Sequence, residues 1–179
     1  LRTHKDYLPE CSRVAVVDGK IAGTIMYFKC VIHGLKEDVT IASFGPLCVD
    51  HKYKNCGIGR RLLEEKIPLV KDAGIPGIVI FGEPEYYPRI GFKRCREFGI
   101  TDMEGNASDP FMGLELIEGG LHIKGGKFEE SSVVEECTEE ALAELDKEFP
   151  PLKKISKPCQ WSYENGYDDR EGYHYEYAT

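Results

Sequence analysis

The sequence predicts a domain that mixes helices and strands, α/β (α+β), and three observations support this prediction. A β-branched run and an alternating run meet at Asp18-Gly19, which indicates an antiparallel hairpin from Val14 to Val31. From Ile58 onward the apolar residues recur with a helical period. The four apolar residues Ile78–Phe81 then indicate a strand that is buried on both faces. A strand, a helix and a second strand in this order favour a parallel pair, so we expect a mixed sheet.

The first elements are strands joined by tight turns. Asp-Gly supplies the positive φ angles that a two-residue turn requires. A polar loop at 34–38 follows the hairpin, and the apolar run Val39–Val49 is a third strand. Gly45-Pro46 should make this strand irregular, because proline donates no hydrogen bond to a ladder. An irregular strand exposes backbone groups.

One kinked helix is predicted after the third strand. Its apolar face consists of Ile58, Leu62, Leu63, Ile67 and Val70. Pro68 removes the hydrogen bond to the Glu64 carbonyl, so we expect a kink in the last turns before Gly74. A short helix or turn at 84–89, a weaker strand-like stretch to Ile100 and a loop at 101–110 follow the buried strand.

The remaining chain is predicted to be rich in turns. Phe111–Ile117 is typical of a strand, glycine pairs punctuate 119–126, and Thr138 caps a helix with two glutamates in its first turn. The predicted organisation is a core at 1–118, a C-terminal extension with one helix at 119–160, and an acidic, tyrosine-rich tail at 161–179.

Composition excludes several classes of protein. The 179 residues are 41% hydrophobic and 30% charged, which is a globular composition without a continuous membrane span. The net charge of −8 argues against nucleic acid and against an anionic membrane surface as partners. The seven cysteines are an odd number and form no Cys-x-x-Cys pair, so we expect a reducing, cytoplasmic location and no metal site.

The segment from Lys54 to Arg61 is the most informative part of the chain. Gly57 and Gly59 lie between a strand and a helix, where residues without a Cβ let backbone amides turn toward one point and let a ligand approach. With Arg60 beside them, they favour a ligand of pyrophosphate size. Alternatively, both glycines only make a tight turn. This segment matches neither the P-loop motif nor the dinucleotide-binding motif. Gly-Lys-Ser/Thr is absent, and Leu62 stands where the third glycine of the dinucleotide motif should be.

A second motif, Tyr87-x-x-x-Gly91-Phe92, follows the next strand. Together with Lys54-x-x-Gly57-x-Gly59 it resembles the GNAT superfamily of acetyl-CoA-dependent N-acyltransferases, in particular its YhbS-like subgroup. The resemblance implies a mixed, mostly antiparallel sheet flanked by helices, with a splayed parallel strand pair forming the acetyl-CoA cleft. Two departures are visible: Lys54 stands where Gln or Arg is usual, and only Leu1–Glu10 is available for the strand and helices that usually precede the hairpin.

The resemblance assigns coenzyme contacts to two short segments. The first pairs its backbone with the pantetheine arm as an added strand would; its residues are Leu47, Cys48 and Val49. The second offers backbone amides to the pyrophosphate; its residues are Cys56, Gly57, Ile58, Gly59 and Arg60. Lys54 and Asn55 lie at the rim of this cradle.

The implied reaction is direct attack of an amine on the acetyl thioester in a ternary complex, which needs a base, a carbonyl donor and an acid. Tyr87 matches the tyrosine that would protonate the leaving thiolate, although it could instead only pack on the neighbouring strand. The Val49 amide is the natural carbonyl donor. Glu83 is our first choice of base, with Asp50, His51 or a water as alternatives.

The acceptor is expected to be a primary amine of a small molecule or a peptide. The acidic net charge suggests a cationic one, and exposed strand edges are compatible with a homodimer. The alternative function is a non-catalytic acyl-CoA-binding or regulatory module on the same fold. A third interpretation, a nucleotide-binding domain that uses the same glycine-rich turn, predicts competition by ATP or NAD.

Overall fold

The computed structural model describes residues 1–134 and 138–148, and its centre is one eight-stranded sheet. The strands are β1 (Tyr7–Val17), β2 (Lys20–His33), β3 (Asp38–Val49), β4 (Gly77–Phe81), β5 (Lys93–Arg94), β6 (Thr101–Asp102), β7 (Phe111–Glu115) and β8 (Lys127–Glu129). Their order is β5-β7-β4-β3-β2-β8-β6, with β1 also paired to β2. The β3/β4 and β6/β8 pairs are parallel and the others antiparallel, so the predicted mixed, mostly antiparallel sheet is confirmed.

The predicted hairpin is confirmed at its turn. Asp18 and Gly19 have φ angles of 49° and 74°, which suit the two central positions of a type I′ turn, and Val17 pairs with Lys20. β1 begins earlier than the sequence pattern indicated. A bulge between Leu8 and Arg13 interrupts the alternation there, so the start of the strand carries no clear period-two signal.

The helical segment differs from the prediction of one kinked helix. It forms two helices, α1 (Ile58–Glu64) and α2 (Ile67–Asp72), and the Lys66 amide between them bonds to the Leu63 carbonyl three residues back at 3.1 Å. Pro68 lies in the first turn of α2, where its missing N–H is not needed by the helix. The proline therefore begins a new helix instead of bending the first.

Two hydrophobic clusters lie on opposite faces of the sheet. The first cluster, beneath α1 and α2, includes Ile25, Tyr27, Phe44, Leu63, Ile78 and Ile80. The second cluster, on the other face, includes Phe28, Ile41, Val79, Phe98, Phe111 and Phe128. Alternate residues of β4 enter alternate clusters, as strand geometry requires. A Cβ on Gly23 would lie 2.9 Å from the Cys48 carbonyl oxygen and 3.3 Å from the Ile58 and Leu62 side chains, so glycine lets both β3 and α1 approach β2 closely.

The second half is more irregular than the sequence indicated. The stretch before Ile100 is mainly a 3₁₀ turn at Cys95–Phe98. β8 was not predicted, because three residues among turn glycines show no periodicity, yet it pairs with both β2 and β6. It lies beyond residue 118 and joins the same sheet as the predicted core.

The predicted N-terminal helix cap at Thr138 is confirmed. Helix α3 (Glu139–Asp146) begins where the Thr138 hydroxyl oxygen accepts a hydrogen bond from the Ala141 amide at 3.2 Å. Its apolar side chains Leu142 and Leu145 are exposed. The part of the predicted extension after residue 148 and the tyrosine-rich tail lie outside the described residues. In the ranges 1–134 and 138–148, no helix has the length and apolar character needed to cross a bilayer.

Candidate functional site

β3 and β4 separate almost as soon as they meet. Ala42 and Ile78 are the one paired position between them, whereas β3 stays paired with β2 as far as Val49. In the described part of the chain, no strand therefore occupies the β4-facing edge of β3 beyond Ala42. The Asp50 amide bonds to the Ala22 carbonyl of β2 at 2.9 Å, and successive amides along a strand point to opposite edges. The Val49 amide thus points into the opening between the strands.

The chain between β3 and α1 turns sharply at two residues with positive φ. Asn55 has φ of 60° and Gly57 has φ of 79°, a left-handed conformation that glycine adopts without strain. The first α-helical hydrogen bond joins the Arg61 amide to the Gly57 carbonyl at 3.0 Å. The amides of Ile58, Gly59 and Arg60 come before that bond, so the helix offers them no carbonyl. The Cys56 amide differs, since it makes a long bond of 3.4 Å to the Tyr53 carbonyl.

The arginines on α1 are paired along the helix. Arg60 Nε lies 2.8 Å from Glu64 Oε1, and Arg61 Nη2 lies 3.0 Å from Glu65 Oε1. Both pairs are exposed and of the i,i+4 kind, so they contribute little stability and break easily. Lys54, Asn55 and Cys56 are also exposed. The fixed part of this segment is therefore its backbone.

Tyr86 reaches the start of α1. A Cβ on Gly59 would lie 4.0 Å from the Tyr86 hydroxyl and 3.5 Å from the Val49 side chain. Burial raises the pKa of Tyr86, and the nearby Arg60 opposes that rise. The sequence favoured Tyr86 as a core residue, but in the structure it is only half-buried and its hydroxyl lies at the start of α1.

Tyr87 is half-buried among aromatic rings. Its ring centroid lies 5.4 Å from that of Phe92, 5.9 Å from that of Phe44 and 5.1 Å from that of Tyr86. The ring rests directly on the backbone at Gly82, where any Cβ would overlap it. The end of β4 and the aromatic cluster thus fix where Tyr87 lies, beside the opening.

The three candidate bases have different surroundings. Asp50 accepts a hydrogen bond from the Lys52 amide at 2.9 Å and lies 3.1 Å from His51 Nδ1, so its carboxylate caps a turn. His51 is 78% exposed. Glu83 is half-buried at the end of β4, and its carboxylate has no hydrogen bond or ion pair within the described residues. Of the three, Glu83 combines partial burial with a carboxylate that the fold does not already use.

An acidic pocket of about 380 Å³ lies on the face of the sheet opposite α1 and α2, where the second cluster packs. Phe81 and Phe128 belong to its wall, and their ring centroids are 6.2 Å apart. Four acidic residues also line it: Asp102, Glu104, Glu129 and Glu130. Phe81 is the last residue of β4, two residues before Glu83, so this acidic pocket opens at the same end of the strand as the candidate base.

No group of three or more His, Cys, Asp or Glu side chains in residues 1–134 and 138–148 has an arrangement that could hold a metal ion.

A family model for the acetyltransferase (GNAT) domain matches residues 9–94, from β1 through β5. This chain carries a GNAT domain. The family resemblance stated from the sequence is thereby confirmed, and the parted β3/β4 pair and the segment before α1 both lie within the GNAT domain. Every candidate coenzyme and catalytic residue named above also lies within it.

Relatives of known sequence and structure agree with this assignment. The uncharacterized N-acetyltransferases YjhQ and YhbS of Escherichia coli K12 are each 30% identical, over 87 and 86 residues. The matches cover 49% and 44% of this chain, and 48% and 50% of the relatives.. This chain therefore spans about half the length of the curated relatives it matches. A crystal structure of E. coli YhbS in complex with CoA shares the fold, with a TM-score of 0.60, 24% identity, and coverage of 68% of this chain and 67% of that one.

Proposed function

We propose that this protein is an N-acetyltransferase that moves an acetyl group from acetyl-CoA to a primary amine in a ternary complex. The observation that carries the proposal is the parted β3/β4 pair within the GNAT domain. That opening has a backbone edge and unpaired helix amides on one side, and Tyr87 with Glu83 on the other. One opening thus combines groups that suit a phosphorylated thioester with groups that suit proton transfer.

The proposed coenzyme site follows β3 into α1. The backbone of Leu47, Cys48 and Val49 would pair with the pantetheine arm along the edge that β4 leaves open. The amides of Ile58, Gly59 and Arg60 suit the pyrophosphate, because they lack helix partners and no Cβ on Gly59 blocks their approach. Gly57 and Cys56 shape the turn, and Lys54 and Asn55 lie at its rim. The YhbS crystal structure, which has the same fold, is a complex with CoA, and this supports CoA as a ligand of the fold.

In the proposed reaction, the amine nitrogen attacks the thioester carbonyl carbon and the carbon–sulfur bond breaks. The Val49 amide, directed into the opening, would donate a hydrogen bond to the carbonyl oxygen. Glu83 would take a proton from the amine, directly or through a water. Tyr87 would give its phenolic proton to the departing thiolate, which leaves as the CoA thiol.

The acidic pocket supports a cationic acceptor. Because α1 and its amides lie on one face of the sheet, an acceptor would approach from the other face, where carboxylates and aromatic rings line the acidic pocket. Carboxylates and aromatic faces both attract an ammonium group. A polyamine, an aminoglycoside or a lysine side chain has this chemistry.

The proposal extends to the location, the oligomeric state and the domain division of the protein. The five cysteines in the described ranges are all free thiols, which suits a reducing compartment such as the cytoplasm. Within the described residues β1 pairs with β2 alone, so its outer edge is compatible with a homodimer. The division into a core at 1–118, an extension at 119–160 and a tail at 161–179 stays a prediction.

Thiol release from acetyl-CoA with a panel of mono- and polyamines tests the function. We expect cationic polyamines to be turned over and Glu83→Gln to lower kcat about 100-fold, in the range for loss of a general base. Glu85→Gln is the matched control, because Glu85 is exposed in the same loop, and it should retain wild-type kcat. If acetyl-CoA binds but no amine releases thiol, the non-catalytic acyl-CoA-binding module becomes the better account.

A further inference from the structure

The hydroxyl of Tyr27 is buried and has no hydrogen-bond partner. Tyr27 lies on β2 in the first cluster and is 0% exposed. Among the residues that the structure describes, its hydroxyl is the one buried side-chain oxygen or nitrogen without a partner. Buried polar groups are nearly always paired, so each exception needs an explanation.

Packing alone does not explain this hydroxyl. Burying a hydroxyl without a hydrogen bond costs free energy, whereas phenylalanine would fill almost the same space without that cost. The Tyr27 ring contacts Phe44 edge-on, with centroids 5.3 Å apart, and this contact needs no oxygen. A role in stability therefore accounts for the ring of Tyr27 and leaves its oxygen unexplained.

The position of Tyr27 connects it to Tyr87. Both rings pack on Phe44, at centroid distances of 5.3 Å for Tyr27 and 5.9 Å for Tyr87. Two titratable groups act on Tyr27 from other elements, Cys11 on β1 and Tyr87 after β4. Burial raises the pKa of Tyr27 most, and these two neighbours raise it further. The Tyr27 O–H thus has no acceptor among the described residues, and its ring lies on the same Phe44 ring as Tyr87.

We propose that Tyr27 is a positioning residue for Tyr87, donating a hydrogen bond to the Tyr87 oxygen when Tyr87 becomes a phenolate. This inference rests on the proposed function. When the carbon–sulfur bond breaks, its electron pair stays on sulfur and the Tyr87 proton moves to that sulfur. Tyr87 is left as a phenolate until it takes up a proton. That uptake balances the proton that the acceptor amine loses. A phenolate among the rings of Phe44, Phe92 and Tyr86 is costly, and a charge-assisted hydrogen bond offsets that cost.

The substitution Tyr27→Phe removes the oxygen and keeps the ring. We expect kcat to fall about tenfold, as for loss of one hydrogen bond to a charged group. The alkaline limb of the pH profile should move to higher pH, because Tyr87 loses a donor that stabilises its phenolate. Acetyl-CoA affinity should not change, and the melting temperature should stay the same or rise. Tyr7→Phe, on β1 outside both clusters, is the control and should change none of these.

NMR of the ¹³Cζ-labelled tyrosines supplies a readout that needs no acceptor. In the free protein, the titration of Tyr87 should move to higher pH in Tyr27→Phe and stay in place in Tyr7→Phe. An unmoved Tyr87 titration overturns the inference even if the enzyme is active. Absence of turnover with a shifted titration, by contrast, contradicts the proposed function and leaves the Tyr27–Tyr87 link intact.

The double variant separates the proposed coupling from an independent effect. If Tyr27 acts through Tyr87, then adding Tyr27→Phe to Tyr87→Phe should lower kcat no further. An additive loss, or a loss of kcat accompanied by a lower melting temperature, would show that Tyr27 acts by another route and would overturn the inference.

Discussion

The two sides of the opening between β3 and β4 are built on different principles. On the β3–α1 side, the side chains of Cys48, Lys54 and Arg60 are exposed, and the fixed features are backbone amides and positive φ angles. On the β4 side, Tyr87 is fixed by ring packing on Phe92 and on Phe44, which reaches it from β3. The β3–α1 side should therefore tolerate side-chain substitutions but respond to an added Cβ at a glycine. The β4 side should respond to the loss of a single side-chain atom.

The largest expected effect is at Tyr87 itself. Tyr87→Phe keeps the ring contacts and removes the proposed acid, so we expect kcat to fall at least 100-fold with little change in acetyl-CoA affinity. The matched control is Tyr86→Phe, whose hydroxyl lies by Gly59 and should not affect kcat. Equal losses of kcat and affinity in Tyr87→Phe would make Tyr87 a packing residue.

Gly82→Ala tests whether packing sets the position of Tyr87. A Cβ at residue 82 would overlap the Tyr87 ring, so the ring must move. We expect a loss of about 1–3 kcal/mol of stability, typical of overpacking, and a fall in kcat of about tenfold. Calorimetric unfolding and steady-state kinetics measure the two effects. If Gly82→Ala is destabilised but keeps its kcat, the exact position of the Tyr87 ring does not limit the reaction.

Gly59→Ala should affect the other side in the opposite way. The added Cβ would be 3.5 Å from the Val49 side chain, an ordinary contact, and alanine favours a helix over glycine by up to about 1 kcal/mol. The fold should therefore be as stable as the wild type or more so. Acetyl-CoA affinity should nevertheless fall about tenfold, because the methyl group occupies space that the phosphates need.

Lys54→Ala sharpens this contrast. Lys54 is exposed at the rim, and we expect it to change acetyl-CoA affinity by less than about threefold, as for a solvated charge. A larger loss in Lys54→Ala than in Gly59→Ala would mean that side chains, and not backbone shape, dominate the β3–α1 side.

The smallest expected effect lies away from the opening. Glu129 and then Asp38 raise the pKa of His33 by hydrogen bonding, with His33 Nε2 2.7 Å from Glu129 Oε2. Because the folded pKa exceeds the ordinary value near 6.5, the stabilisation is complete below that pH and is lost as pH rises through the folded pKa. For this exposed group we expect less than about 1 kcal/mol, measured as a pH-dependent difference in unfolding between wild type and His33→Gln. Acetyl-CoA affinity should be the same in both proteins.

The sequence predicted local elements better than contacts between distant residues. The turn at Gly57, the Asp18-Gly19 turn and the buried run of β4 are local signals, and each was confirmed as structure. β8 and the break between α1 and α2 were missed, since three-residue strands have no period and a proline can begin a helix as well as bend one. The pairing of Tyr27 with Phe44 joins distant residues, so no local pattern could indicate the buried hydroxyl.

The proposed reaction requires acetyl-CoA to bind along β3 and the start of α1, and calorimetric titration of the protein with acetyl-CoA measures this binding. Wild type and Gly59→Ala should be compared, with ATP and NAD as competing ligands. We expect micromolar binding of acetyl-CoA to the wild type, weaker binding to Gly59→Ala at equal or higher stability, and no heat from ATP or NAD. No binding of acetyl-CoA, or equal binding of ATP, would contradict it and leave Gly57 and Gly59 as glycines of a tight turn.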